Sequence, residues 1–281
     1  MKKFLSLALV AFSAQFFLQA QTIRRPVASD YTGLGAYSTT HTDAFSFISN
    51  QASLAQIKKF TAGIYSERRF MLNELNLYNA VIALRTRSGS FGLKGAFYGF
   101  AGYNETQLGL AYGRSLGSKI DLGVQFSYYG MKVVGYGNAA AFGFEAGIIM
   151  HVSDKINAGV QVSNPVGGKF GKNAGEKLPF VYTTGLGYEA SDKFLISMEM
   201  EKEEDQPVNV NAGLQYRLLP RLRIRAGIST ATSNMWLGVG VMIKSMRVDI
   251  TAGYHPQLGV TPGLLLMVPA DIPTGNEESE L

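Results

Sequence analysis

The 281-residue chain has no cysteine, one tryptophan and three histidines, and only 17% of it is charged. Lack of cysteine excludes a disulfide framework and thiolate metal sites together. After the first twenty residues no apolar run approaches the roughly 20 residues a membrane-spanning helix needs, so a helical membrane protein is excluded. A membrane barrel is not, because its strands cross with about 9–11 residues of alternating polarity and their hydropathy averages out. The mean hydropathy of +0.05 agrees with that pattern.

What is present begins with an export signal. Lys2 and Lys3 precede an apolar stretch over residues 4–18, and Ala20 offers a small residue before a cut that leaves Gln21 first. Leu18, at the third position before the cut, is larger than such sites prefer. Removing residues 1–20 lowers Lys+Arg from 26 to 24 against 21 acids, a net charge of +3. Such a mild excess does not argue for nucleic acid. An export signal without disulfides suits a bacterial envelope. Glycine (32 residues), tyrosine (14) and phenylalanine (17) are plentiful. Crowded, tilted strands and interfacial aromatic girdles use these residues.

Tight turns recur at Arg87-Ser88-Gly89, Leu116-Gly117-Ser118-Lys119, Val152-Ser153-Asp154-Lys155, Ala190-Ser191-Asp192-Lys193, Leu218-Leu219-Pro220-Arg221 and Lys244-Ser245-Met246-Arg247. Between them fall connections that are glycine-rich, charged or longer, near 66–73, 102–105, 130–138, 164–177, 202–206, 231–234 and 255–257. Short turns on one side and variable loops on the other describe an all-β, transmembrane, antiparallel up-and-down barrel. About fourteen strands are expected, starting near Phe60, Leu75, Ser90, Thr106, Lys119, Ala140, Lys155, Leu178, Lys193, Val208, Arg221, Met235, Met246 and Gly259. An even number puts both chain ends on the short-turn side, the periplasm. The expected organisation is a signal peptide over 1–20, a periplasmic or luminal plug segment over 21–57, the barrel over 58–269 and a polar tail over 270–281.

Period-two alternation assigns faces. In one strand Ile120, Leu122, Val124, Phe126 and Tyr128 oppose Asp121, Gly123, Gln125 and Ser127. A soluble sandwich shows the same alternation with its apolar face inward, so alternation alone leaves that alternative open; the unbroken hairpin series favours the barrel. In a barrel the polar face lines the lumen, because arginine facing lipid at mid-depth costs about 2–4 kcal/mol. Arg217, Arg221, Arg223 and Arg225 must then point inward, and Glu199, Glu201, Arg247 and Asp249 share that parity. The expectation is a mixed-charge luminal network that either rigidifies a narrow barrel or binds an anionic headgroup, carboxylate or peptide terminus.

Before the first strand stand Gly33-Leu34-Gly35-Ala36-Tyr37, Asp43-Ala44-Phe45-Ser46 and Asn50-Gln51-Ala52-Ser53-Leu54-Ala55. This opening resembles that of the FadL-like outer-membrane barrels, which include hydrocarbon and fatty-acid transporters and the PorV-like proteins of the Bacteroidetes type IX secretion system. The resemblance implies a fourteen-stranded barrel with its N-terminal segment tucked inside, and a plug motif at Asp43, Asn50, Gln51, Ala52 and Leu54. Gln51 stands where the family usually has proline, which puts the family's tight reversal there in doubt. An amphipathic turn of helix filling the lumen is the plainer expectation for this segment.

No catalytic residue, metal site or cofactor is expected. His41, His151 and His255 are far apart, and His151 and His255 fall at opposite ends of the barrel. No metalloprotease or serine-hydrolase motif occurs, which leaves an outer-membrane lipid hydrolase a minor reading. The acidic run over residues 199–205 reads as a solvated loop, with divalent-cation binding as the sharper alternative. Trp236 takes polar-face parity and so faces the lumen. Short loops tilt the functional expectation toward a non-enzymatic partner or shuttle of other secretion-system or envelope proteins, PorV-like. The alternative is FadL-like passage of a small hydrophobic ligand across the outer membrane, with lipid as the surrounding partner in either case.

Overall fold

Strands whose side chains alternate between apolar and polar, joined by tight reversals, bury their backbone groups only by pairing with each neighbour and finally with themselves. The computed structural model describes residues 29–170, 178–204, 206–230 and 234–268. The expected export signal and the polar tail over 270–281 lie outside the described residues. Fourteen strands follow one another: β1 (Thr61–Arg68), β2 (Asn76–Arg85), β3 (Ser90–Gly99), β4 (Tyr103–Leu116), β5 (Ile120–Val133), β6 (Gly137–His151) and β7 (Ile156–Ser163). Then come β8 (Val181–Ser191), β9 (Phe194–Glu203), β10 (Asn209–Leu219), β11 (Leu222–Ser229), β12 (Asn234–Ile243), β13 (Met246–His255) and β14 (Gly259–Val268). Each pairs antiparallel with its sequence neighbours, and β1 closes on β14 from Ala62↔Val268 to Glu67↔Gly263. Closure leaves no open edge.

Every strand starts within three residues of its expected position. Two of the three largest departures, at β4 and β6, have one cause. Most of the glycine-rich stretches near 102–105 and 130–138, expected as loops, belongs to the strands, and the connections are three-residue reversals at 100–102 and 134–136. Gly135 and Gly137 make the second reversal with φ of 85° and 104°, a region in which only glycine is unstrained. The other end carries turns of two to four residues, and we call it the short-turn end.

The apolar faces point outward. Ile120, Leu122, Val124, Phe126 and Tyr128 are exposed on β5, whereas Asp121, Gln125 and Ser127 are buried. The same arrangement around the whole cylinder makes a belt of exposed Leu, Ile, Val and Phe that water would not tolerate and hydrocarbon satisfies. The soluble-sandwich alternative needs the opposite arrangement.

Inside the cylinder lie residues 29–57: a short helix α1 (Ser29–Thr32) and two 3-10 turns, Ser46–Ile48 and Gln51–Gln56. Gly113, Gly123 and Gly147 are in register across β4, β5 and β6 and form the seat of the second turn. A Cβ at Gly123 would overlap the Gln51 carbonyl and the Ala52 amide, and one at Gly147 would overlap the Asn50 side chain. Asn50 caps this turn, its side chain accepting from Ala52 N at 3.0 Å. Such a cap contributes about 1 kcal/mol. Gln51, in place of the family's proline, leaves the reversal intact, and its Nε2 donates to Glu145 Oε2 at 2.6 Å.

Candidate functional site

The luminal wall is divided by chemistry. On β1, β2, β4 and β14 the inward residues include Tyr65, Leu77, Val81, Ala83, Ala111, Leu265 and Met267, all buried. Phe45, Phe47 and Leu54 of the inner segment pack with these residues in one core cluster, although Glu67 and Asn79 are buried on the same faces of β1 and β2. The rest of the wall is mostly polar, with Ile149, Leu195, Trp236 and Met242 as buried apolar exceptions.

A cationic centre lies toward the short-turn end on β11 and β13. Arg225 Nη2 and Arg247 Nη1 both approach Asp43 Oδ2 of the inner segment, at 3.3 and 2.9 Å. Arg247 Nε also lies 3.0 Å from Asp249 Oδ1. Arg225 donates to the Tyr31 carbonyl at 3.1 Å and to Gln215 Oε1 at 2.6 Å, and its guanidinium sits over the Tyr31 ring. The Tyr31 hydroxyl donates to Asp249 at 2.7 Å, and its ring meets Trp236 edge-on at 5.6 Å. Burial alone would raise the Asp43 carboxyl, but Arg247 and Arg225 beside it hold it below its ordinary value. His41 is pushed down to about 4, chiefly by burial, with Glu189 opposing.

A second, acidic cavity of about 100 Å³ lies toward the long-loop end, lined among others by Glu145, Glu199, Glu201, Glu203 and Lys94. Glu145 is its hub, accepting from Gln51, Gln125, Ser127, Tyr129 and Gln161. A third group anchors the segment near the short turns. Glu189 accepts from the Thr39 and Thr40 amides, and Gln56 donates to Asp121, which also pairs with His151 at 3.0 Å.

Two sequence expectations need correction. Arg221 is not luminal. It is exposed in the β10–β11 turn at the rim, because β10 ends at Leu219 and β11 starts only at Leu222. The acidic run is not a solvated loop throughout: β9 extends to Glu203, and period two turns Glu199, Glu201 and Glu203 toward the cavity while Lys202 faces out. The single expected network is therefore two. Arg223, Arg225, Arg247 and Asp249 gather on β11 and β13 with Arg217 nearby, whereas Glu199 and Glu201 belong to the acidic cavity. Of the plug-motif residues, Asp43 meets the arginines; Asn50, Gln51, Ala52 and Leu54 sit on β4 to β6.

Tyr31, His41 and Glu145 entered no expected site. Inward parity on β6 marks Glu145; nothing in the local pattern marks Tyr31 or His41. His151 has Asp121, Asn157 and Gln56 as partners and no serine hydroxyl among them. Among the described residues no group of three metal-ligating side chains converges.

No family model matches the chain, and no curated protein matches it by sequence. Solved structures do match. The CymD monoaromatic hydrocarbon channel superposes with a TM-score of 0.60 at 12% identity, over 86% of this chain and 95% of that one. The toluene transporter TodX of Pseudomonas putida gives 0.60 at 10%, over 84% and 96%. The toluene transporter TbuX of Ralstonia pickettii gives 0.56 at 10%, over 80% and 92%. The fold is that of the hydrocarbon-channel barrels. At these identities the likeness is one of fold, and function has to be argued from the lumen.

Proposed function

We propose that this protein is an outer-membrane channel for small hydrophobic molecules, exported by cleavage near Ala20 and held shut by a plug that includes residues 29–57. Its short-turn end faces the periplasm. The observation that carries this reading is the apolar cluster on the luminal wall, covered by Phe45, Phe47 and Leu54. A barrel that passes hydrocarbons uses such a surface, because it does not demand hydrogen bonds of the cargo. The fold shared with CymD, TodX and TbuX supports the same reading. The plug is held by this apolar packing together with ionic and amide contacts at a few points, and its release uncovers the apolar wall.

The test is uptake of labelled toluene by cells whose own outer-membrane channels are deleted. Expression of the protein should raise uptake, and Val81→Lys, which puts a charge in the apolar cluster, should abolish the gain while leaving a heat-modifiable barrel. The filled, ion-paired lumen also suits a partner of secretion-system proteins that passes nothing. No uptake above empty cells, with stable co-purification of other envelope proteins, would decide for that reading.

A further inference from the structure

The cavity at the short-turn end, about 90 Å³, collects cations from both the wall and the inner segment. Arg217, Arg223 and Arg247 face it from β10, β11 and β13; His41, Lys58 and Lys59 face it from the segment; Asp43 is the one acid in its lining. From this geometry we propose that the cavity binds a phosphate-type oxyanion clasped between barrel wall and inner segment.

The unused donors point to it. Arg247 is 1% exposed, yet its Nη2 has no hydrogen-bond partner. Asp43 takes Nη1 and Asp249 lies beside Nε, so that nitrogen is left over. His41 is 5% exposed and its Nε2 makes no well-aligned hydrogen bond among the described residues, although the Ser191 backbone lies near the ring. Its tautomer follows from the neighbours. Arg225 Nε donates to Gln215 Oε1, which fixes that amide and turns Gln215 Nε2 toward His41 Nδ1 at 2.7 Å. Nδ1 therefore accepts, and the hydrogen sits on Nε2, a buried donor without a well-aligned acceptor among the described residues. Arg217 and Arg223 have no carboxylate within ion-pair distance, and Lys58 is exposed at the rim. A buried donor left unmade costs about 1–3 kcal/mol, more when charged, and one oxyanion accepts from several of these at once.

A free phosphate and the phosphate of a lipid headgroup share this chemistry. The site stands whether or not the barrel conducts, so its failure and that of the channel reading are separate. The experiment is calorimetric titration of the refolded full-length protein in detergent with inorganic phosphate, then with short-chain phosphatidate. Saturable binding is expected, weakened at least tenfold by Arg223→Gln. It is unaffected by Arg221→Gln, which removes the same charge from an exposed turn at the same end. Lys58→Gln, an exposed change with no folding burden, should weaken it severalfold. Tighter binding of the phosphatidate supports the site with a lipid headgroup as its source, and equal or weaker binding supports it with free phosphate. No saturable binding by a heat-modifiable barrel, or equal loss in Arg221→Gln and Arg223→Gln, overturns the proposal and leaves the donors to water.

Discussion

Asp43 shows how much one carboxylate can hold. It is the counter-ion common to Arg225 and Arg247, which are 0% and 1% exposed, and it joins the inner segment to two strands far along the chain. Removing one partner of a buried ion pair typically costs about 3–5 kcal/mol because the remaining charge has nowhere to go. Asp43→Asn is therefore expected to unseat the segment without unfolding the cylinder. Trp236, the single tryptophan, touches Tyr31 and reports the event. Its emission should shift to longer wavelength in Asp43→Asn, and an unchanged spectrum would contradict the assignment. Acid should act the same way. His41 ordinarily titrates near 6.5 and in its seat is lowered to about 4. A released segment takes up a proton that the seated one refuses, so seating weakens as the pH falls below about 6.5 and levels off near 4. The lowered Asp43 carboxyl adds a further loss only below the ordinary carboxylate range, because its ionised form is the one bound. A Trp236 emission titration from pH 7.5 to 4 checks the sign: a flat trace would remove His41 from the account.

At the scale of elements, the strands and the presence of an inner segment were legible, and the contacts that segment makes were not. Turns such as Ser191-Asp192-Lys193 and inward–outward alternation locate strands because both signals are local. The pairing of Asp43 with Arg225 and Arg247 is not local, and alternation could place the arginines inward without naming what they meet. Arg221 went astray for a different reason: it keeps the parity of Arg223 and Arg225 but lies beyond the end of the strand, in a turn exposed at the rim. The glycines were readable in principle. Gly113, Gly123 and Gly147 all have inward parity and align only once the hairpin register is known. Their bare backbone is what lets the Gln51–Gln56 turn come so close, so Gly123→Val should lift that turn while the wall persists. As the chain has no cysteine, a Ser53→Cys probe reports this cleanly. Maleimide labelling at this buried position should be slow in the parent protein and at least tenfold faster with Gly123→Val.

At the scale of the molecule, the protein is an apolar-coated cylinder whose interior is occupied by its own residues 29–57. Two small cavities, acidic toward the long loops and basic toward the short turns, flank that filling. A barrel so filled should be electrically silent in a planar bilayer. Deleting residues 29–57 should turn it into one with steady conductance, and the opposing wall charges should make the current unequal under reversed voltage. A silent deletion variant that is still heat-modifiable would show that the wall itself collapses.

Closure of β1 on β14 also bears on how the cylinder is built. Joining the first strand to the last closes a loop of almost the whole chain, a step opposed by conformational entropy and slow in proteins dominated by distant contacts. The inner segment lies just before β1 in sequence, and its Tyr31 and Asp43 already grip Asp249 and Arg247 on β13. Those grips tether the penultimate strand to the start of the chain, so the closing hairpin has only a short arc left to travel. Residues that fill the finished cylinder would thereby serve, during assembly, as the mandrel around which its wall is wound.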